Sequence, residues 1–282
     1  MTNTANETQR DAWNGDSGLR WVADPDKRDA AMVDVGAALA DAAVLQPDED
    51  VLDIGCGCAA TTLDAARAVG PGGTVLGVDI SEPMLAIARR RLAASALDNV
   101  TFQVADAQTD PLPERAHDVV ISRFGTRFFD DPTAAFTNIA RSLRTGGRLC
   151  IATWQPLGAN DWLAVPGAAL LRYGTLPDNG GDAPGMFAQS DPVVISAVLT
   201  AAGFDHIIVT PVAVTMRFGA DAEAATGYLT DTGIARTVLD TIPPDRRQEA
   251  VESVTAVLAD HKGPTGVELG AGIWITTATR RS

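Results

Sequence analysis

The segment VLDIGCGCAATTLDAARAVG, residues 51–70, constrains the fold more than any other stretch of the chain. A β-rich run, VLDI, enters Gly55 and Gly57, and a helical period follows with Leu63, Ala66 and Val69 among its apolar positions. A strand that turns through glycines straight into a helix is the opening of a βαβ unit. The pattern then repeats. TVLGVDI (74–80), VTFQVAD (100–106), HDVVIS (117–122) and GRLCIATW (147–154) read as four more strands separated by helical periods. The alternation predicts an α/β fold on a parallel sheet.

Three helices have legible ends. Ser81 is an N-cap for a helix carrying Met84, Leu85, Ala88 and Leu92, with Pro83 in its first turn. Asp131-Pro132 opens a helix with Phe136, Ile139, Ala140 and Leu143 at i, i+3, i+4 and i+7, closed by Gly146-Gly147. Asp191-Pro192 repeats the device before Ile195, Val198, Leu199 and Ala202. Residues 155–190, rich in Gly, Pro and Asn, read as an irregular insertion. Residues 207–218 read as a strand pair or one long bulged strand, 220–260 as helical and 266–279 as a final strand.

Charge excludes more than it identifies. Lys and Arg number 22 against 36 Asp and Glu, a net charge of −14. Affinity for polyanions comes from clustered cations that displace counterions, so neither nucleic acid nor an anionic membrane is an expected partner. The opening residues lack the charged and apolar regions of a secretory signal, and no apolar run reaches the ~18 residues of a spanning helix. Cys56, Cys58 and Cys150 are an odd set without a disulfide pattern, which suits the cytoplasm. His117, His206 and His261 are too scattered to form a metal site, and none is expected.

The glycine loop alone is ambiguous. Gly55, Gly57 and Ala60 satisfy a dinucleotide fingerprint formally, with Asp79 at a suitable distance. Yet Asp53 sits at the mouth of the loop, and no Lys or Arg occurs from residue 51 until Arg67. A fixed carboxylate there opposes a pyrophosphate and favours ammonium or sulfonium charge. S-adenosyl-L-methionine (SAM) carries both. Asp79 closes strand two, where it could accept from both ribose hydroxyls, and Asp106 closes strand three, within reach of an adenine amine. Carboxylates at the ends of three neighbouring strands line one crevice, the usual binding place of open α/β sheets.

On these motifs the chain resembles the class I SAM-dependent methyltransferases, close to the ubiquinone and menaquinone C-methyltransferase-like branch. VLDIGCG resembles their first motif, GVDIS with EPML the ribose-acid motif, VADA the adenine motif, HDVVISRFG the strand-four motif and LRTGGRL the turn into strand five. The resemblance implies a Rossmann-like seven-stranded sheet, six strands parallel and the seventh antiparallel between the fifth and sixth. It further implies four regions: an N-terminal helical lid (1–45), a SAM-binding core (46–155), an insertion or substrate lid (156–190) and a completing segment (191–282) whose helices 220–260 cap the active-site side.

By the same resemblance Asp53 and the Gly55–Cys56–Gly57 backbone face the methionine part of the cofactor. Asp79 faces the ribose, Ile80 and Met84 the adenine face, Asp106 and Ala107 its edge, and Ser122 and Arg123 the sulfonium. Ala59 stands where relatives often carry a third glycine, and its methyl is expected to require a negative φ. Trp13 and Trp21, aromatic residues in a polar segment, are expected to cover the cofactor. Phe124, Phe128, Trp154, Trp162 and Tyr173 are candidates for the pocket of an apolar or aromatic acceptor.

Methyl transfer from a sulfonium is an in-line displacement with an activated leaving group, so a base is optional. His261 is the one histidine retained as a candidate, and Cys56 and Cys58 read as small loop residues. The expected activity is methyl transfer to a small acceptor at oxygen, carbon or nitrogen, leaving S-adenosyl-L-homocysteine. Open alternatives are a SAM-binding protein without transfer and an NAD-dependent oxidoreductase; the oligomeric state is open too.

Overall fold

In a parallel sheet covered on both sides, alternate residues of each strand feed two different cores. The computed structural model, which describes residues 6–176, 184–231 and 233–281, shows this partition directly. Val51, Val119 and Ile121 join one apolar cluster, while Leu52, Ile54 and Val120 join the other. Residues 1–5 of the expected N-terminal lid and 177–183 of the expected insertion lie outside the described residues.

The strands are β1 (Asp50–Ile54), β2 (Thr74–Asp79), β3 (Val100–Val104), β4 (His117–Arg123), β5 (Leu143–Trp154), β6 (Phe204–Arg217), a two-residue β7 (Lys262–Gly263) and β8 (Gly266–Arg280). Their order is β3-β2-β1-β4-β5-β8-β6, with β7 pairing only with β8. The pairs from β3 to β5 are parallel, and β8 is antiparallel to both β5 and β6. This is the Rossmann-like sheet the motifs imply, its last long strand between the fifth and sixth.

Among the described residues four helices precede the sheet: α1 (Glu7–Asn14), α2 (Asp16–Ala23), α3 (Pro25–Ala31) and α4 (Val33–Ala43). The crossovers contain α5 (Ala60–Val69), α6 (Glu82–Ala93), α7 (Pro132–Ser142), α8 (Asp161–Leu170) and α9 (Pro192–Ala201). Then come α10 (Ala222–Thr230), α11 (Gly233–Thr241) and α12 (Arg247–Ala259). The caps behave as the sequence suggests. Ser81, Asp131 and Asp191 accept from the amides of Met84, Ala134 and Val193.

Two local expectations change and a third is narrowed. The insertion contains a full helix, α8, which continues through Pro166 because its first turn is anchored by Asn160 and its apolar face packs on α12. Of the two readings of 207–218, the one long bulged strand holds, as β6, with its bulge at the start, between Asp205 and Ile208, where His206 adopts φ 51°. Ala59 has φ 72°, left-handed despite its methyl, and stands as the N-cap of α5. Its amide donates to the Cys56 carbonyl and its carbonyl accepts from Leu63, so the loop fixes the backbone.

Candidate active site

Each residue that ends a central strand is presented at one rim of the sheet, and there a pocket opens. Its empty space, open mouth included, is about 990 Å³. Gly55, Cys56 and Gly57 form its floor after β1. Asp79 and Ile80 follow β2, Asp106 and Ala107 follow β3, and Arg123 ends β4.

The glycine loop is built around Asp79. Its two oxygens accept from the amides of Gly57 and Ser81, each at 2.8 Å, and burial raises its carboxyl above the usual range. Gly57, at φ 54°, presents its backbone to open space: an added Cβ would meet only the Met84 Cε, at 3.6 Å. Gly55 has the opposite surroundings, since a Cβ there would lie 2.6 Å from the Gly125 Cα. One glycine allows the loop to pack against the β4 end, and the other leaves its upper surface open to a ligand.

Asp53 lies beneath the pocket rather than in its wall. It is wholly buried, and its Oδ2 accepts from the Thr61 and Thr62 hydroxyls, both at 2.7 Å. Its Oδ1 has no hydrogen-bond partner. Burial lifts the carboxyl to about 6, against the pull of the two threonines. An orphaned carboxylate oxygen under a glycine floor fits a cofactor that brings positive charge.

Asp106 is 1% exposed. Its oxygens accept from the Gln108 amide and from Asn6 Nδ2, which lies 3.1 Å from each of them. The Asn6 carboxamide makes with Asp106 the contact that an exocyclic adenine amine would make, so this edge accepts an NH₂ group by construction. The site as a whole fits SAM.

The N-terminal helices close the pocket. The Trp13 carbonyl accepts from the Ser81 hydroxyl at 2.7 Å, and Asn14 bridges the Ile80 carbonyl and the Glu82 amide. Trp13 meets Trp21 and Phe128 edge-on, with ring centroids 5.9 and 5.1 Å away. Asp29 of α3 pairs with Arg123 at 2.9 Å and with Arg91 at 2.7 Å. Arg123 therefore meets the pocket as a neutralised pair.

The remaining candidates divide between the pocket wall and the structure behind it. The buried Ser122 hydroxyl donates to the Ile54 carbonyl and accepts from the Gly125 amide, holding the loop ends together. Phe124 and Phe128 line the pocket, whereas Trp154 stands behind Phe124, stacked at 4.0 Å, with Trp162 behind it in turn. Tyr173 bonds Glu249 through its hydroxyl, and His261 lies in the turn before β7; neither lines the pocket. Burial pushes the Cys56 thiol well up and the Cys58 thiol to about 11, so neither is a nucleophile at neutral pH.

The sequence reading missed Asn6, Asp29, Thr61 and Arg127 as lining residues, and of these only Arg127 carried a signal, its place in the loop directly after strand four.

Comparison with known proteins decides the family. Residues 51–147 match the methyltransferase domain model. Over 231 residues the chain is 30% identical to the nocamycin O-methyltransferase of Saccharothrix syringae, covering 77% of this chain and 80% of that protein. It belongs to the class I SAM-dependent methyltransferases. The enzyme is also 38% identical to a demethylmenaquinone methyltransferase of Symbiobacterium thermophilum over 113 residues, but that match spans only 45% of the relative. It is 32% identical to the ubiquinone/menaquinone C-methyltransferase of Ectopseudomonas mendocina across 68% of that protein.

The methyltransferase also shares its fold with the YcgJ protein of Bacillus subtilis, at 15% identity and a TM-score of 0.58 over 88% of this chain and 98% of that one. A phosphoethanolamine N-methyltransferase of Haemonchus contortus, solved with SAM, matches at 18% identity and a TM-score of 0.58, over all of this chain and 61% of that one. SAM is the family's cofactor, and the dinucleotide reading of the glycine loop falls. Among the described residues no helix is long and apolar enough to cross a membrane.

Proposed function

We propose that this enzyme methylates a small, apolar or aromatic organic acceptor in the cytoplasm, with SAM seated across the ends of β1, β2 and β3. One observation carries the reading: the acidic strand ends Asp79 and Asp106 and the aromatic wall of Trp13, Phe124, Phe128 and Phe129 line the same pocket. When bound, the cofactor supplies a methyl group already activated on a sulfonium.

The chain's own residues then have three tasks. Asp79 would hold the ribose and Asp106 the adenine edge, with Ala107 beside it; Ile80 and Met84 would flank the ring. Asp53, through the Gly55–Gly57 floor, would favour the cationic methionine end. The aromatic wall would orient the acceptor and exclude water, which is most of what an in-line displacement needs. S-adenosyl-L-homocysteine is the expected second product.

Asp79→Ala should weaken SAM by roughly 1 to 3 kcal/mol, the cost of leaving polar partners unpaired, and calorimetry measures it. An unchanged affinity would remove Asp79 from the ribose site. Incubation with methyl-labelled SAM and a metabolite extract of the source organism, followed by mass spectrometry of the labelled product, tests transfer itself. SAM binding without any labelled product would reduce the protein to a SAM-binding module.

A further inference from the structure

We propose that Arg127 is the acceptor-binding residue of this pocket and that the acceptor is a carboxylate, methylated on oxygen to a methyl ester. The inference rests on the methyltransferase reading and narrows its substrate class. Arg127 lines the pocket and is 6% exposed. Its guanidinium lies between two rings of the aromatic wall, 5.1 Å from the Phe124 centroid and 4.8 Å from that of Phe128.

Nothing described neutralises it. Among the described residues no carboxylate pairs with Arg127, its Nε has no hydrogen-bond partner, and its acceptor is the Met186 carbonyl, 3.5 Å away. Burial alone acts on its charge and pulls it down to about 9, so it remains a cation at neutral pH. The other pocket-lining arginine, Arg123, is paired with Asp29. An uncompensated buried cation is costly, and a fold that keeps one has a place ready for an anion.

The place is held rigidly. Thr126, the neighbouring residue, is buried and exchanges two hydrogen bonds with buried Gln189: its hydroxyl donates to Oε1 at 2.9 Å and its carbonyl accepts from Nε2 at 2.8 Å. The Arg127 carbonyl accepts from Gly185. A planar guanidinium fixed in this way presents a fork that matches a carboxylate.

The identity of the anion follows from the pocket's other groups. No histidine lines it, its two thiols are held protonated, and its carboxylates are occupied by amides, by Asn6 or by arginines. A neutral hydroxyl acceptor would have no base to receive its proton. A carboxylate needs none. One of its oxygens rests on Arg127 and the other attacks, so the O–CH₃ bond forms as the S–CH₃ bond breaks. Anion and sulfonium become neutral ester and thioether, with no proton released.

The test compares matched probes on enzyme saturated with S-adenosyl-L-homocysteine: 2-naphthoate against 2-naphthamide, followed by calorimetry. Wild type should bind the acid at least about tenfold more tightly than the amide. Arg127→Met should lose that preference to within about twofold while binding S-adenosyl-L-homocysteine as wild type does and melting at no lower temperature. Arg127→Lys, which keeps the charge without the fork, should fall between. Equal binding of acid and amide to wild type, weak binding of both, or a preference surviving in Arg127→Met overturns the proposal. In the labelled-extract experiment mild alkali should release the label as volatile methanol. An alkali-stable labelled product overturns the carboxylate and leaves methyl transfer standing; no labelled product at all overturns both.

Discussion

At the scale of single residues, the site is a set of carboxylates with different environments. Asp53 is raised to about 6 in the folded chain against roughly 3.9 in an unfolded one. Between those values the native state binds more protons than the unfolded state, so stability falls as pH rises through the window. The fall is about 3 kcal/mol, at roughly 1.4 kcal/mol for each pH unit that separates the two values. Asp53→Asn keeps an oxygen for Thr61 and Thr62 and carries no charge, so its stability should change much less between pH 4 and 6. Asp79, also raised by burial, preserves part of the slope. Denaturant midpoints across that range measure the difference, and parallel curves for the two proteins would refute the assignment. Asn6→Ala removes the amide that occupies Asp106; SAM affinity should rise about fivefold, one hydrogen bond's worth. Unchanged or weaker binding would mean that Asn6 and the adenine share the acceptor. Asp79 and Asp106 were legible in the sequence because the strand-end position is a local property. Asn6 and Arg127 were not, because their importance lies in a partner 100 residues away for one and in the absence of any ion-pair partner among the described residues for the other.

At the scale of elements, the β1–α5 junction separates two uses of glycine that the sequence shows only as a repeated letter. Gly55→Ala should destabilise the fold by more than about 2 kcal/mol, left-handed strain plus a Cβ 2.6 Å from the Gly125 backbone. Gly57→Ala meets nothing closer than the flexible end of Met84, so only the strain of about 1 to 2 kcal/mol applies to the fold. Its methyl rises into the space proposed for the cofactor, and SAM affinity should fall further than stability does. Thermal melts with and without SAM separate the two effects; equal loss of stability in both variants would contradict the geometry. Strand ends and Asp-Pro caps were readable because each is written in adjacent residues. Helix α8 was hidden by Pro166 and Gly167, whose local preference for irregular backbone is overridden by packing on α12. The position of the bulge in β6 was not legible, since no glycine at position 206 announces the positive φ of His206.

At the scale of the whole molecule, the pocket has two origins: a floor from the sheet and a roof from the N-terminal helices. Expected roofing from residues 156–190 and 220–260 does not reach it among the described residues. Those helices support the roof indirectly. Arg28 lies over both Trp21 of the roof and Tyr228 of α10, with centroid distances of 4.7 and 5.8 Å. Beside the hydrogen bonds of Trp13 with Ser81 and of Asn14 with Ile80 and Glu82, the charged tie between roof and floor is Asp29, which joins Arg123 at the end of β4 to Arg91 of α6. All three are largely shielded, so Asp29→Ala leaves Arg123 without its carboxylate, while Arg91 keeps only its pair with Asp26. The cost should be roughly 2 kcal/mol, between exposed and fully buried ion pairs. It falls on docking of the roof, because the sheet and α6 are held by their own cores. Cleavage by a protease within residues 7–43 should therefore accelerate several-fold in Asp29→Ala while the 50–154 core stays resistant. SAM, bound between roof and floor, should restore protection in wild type more fully than in the variant. Uniform acceleration along the chain would show instead that Asp29 stabilises the whole fold and that the roof has no independent opening.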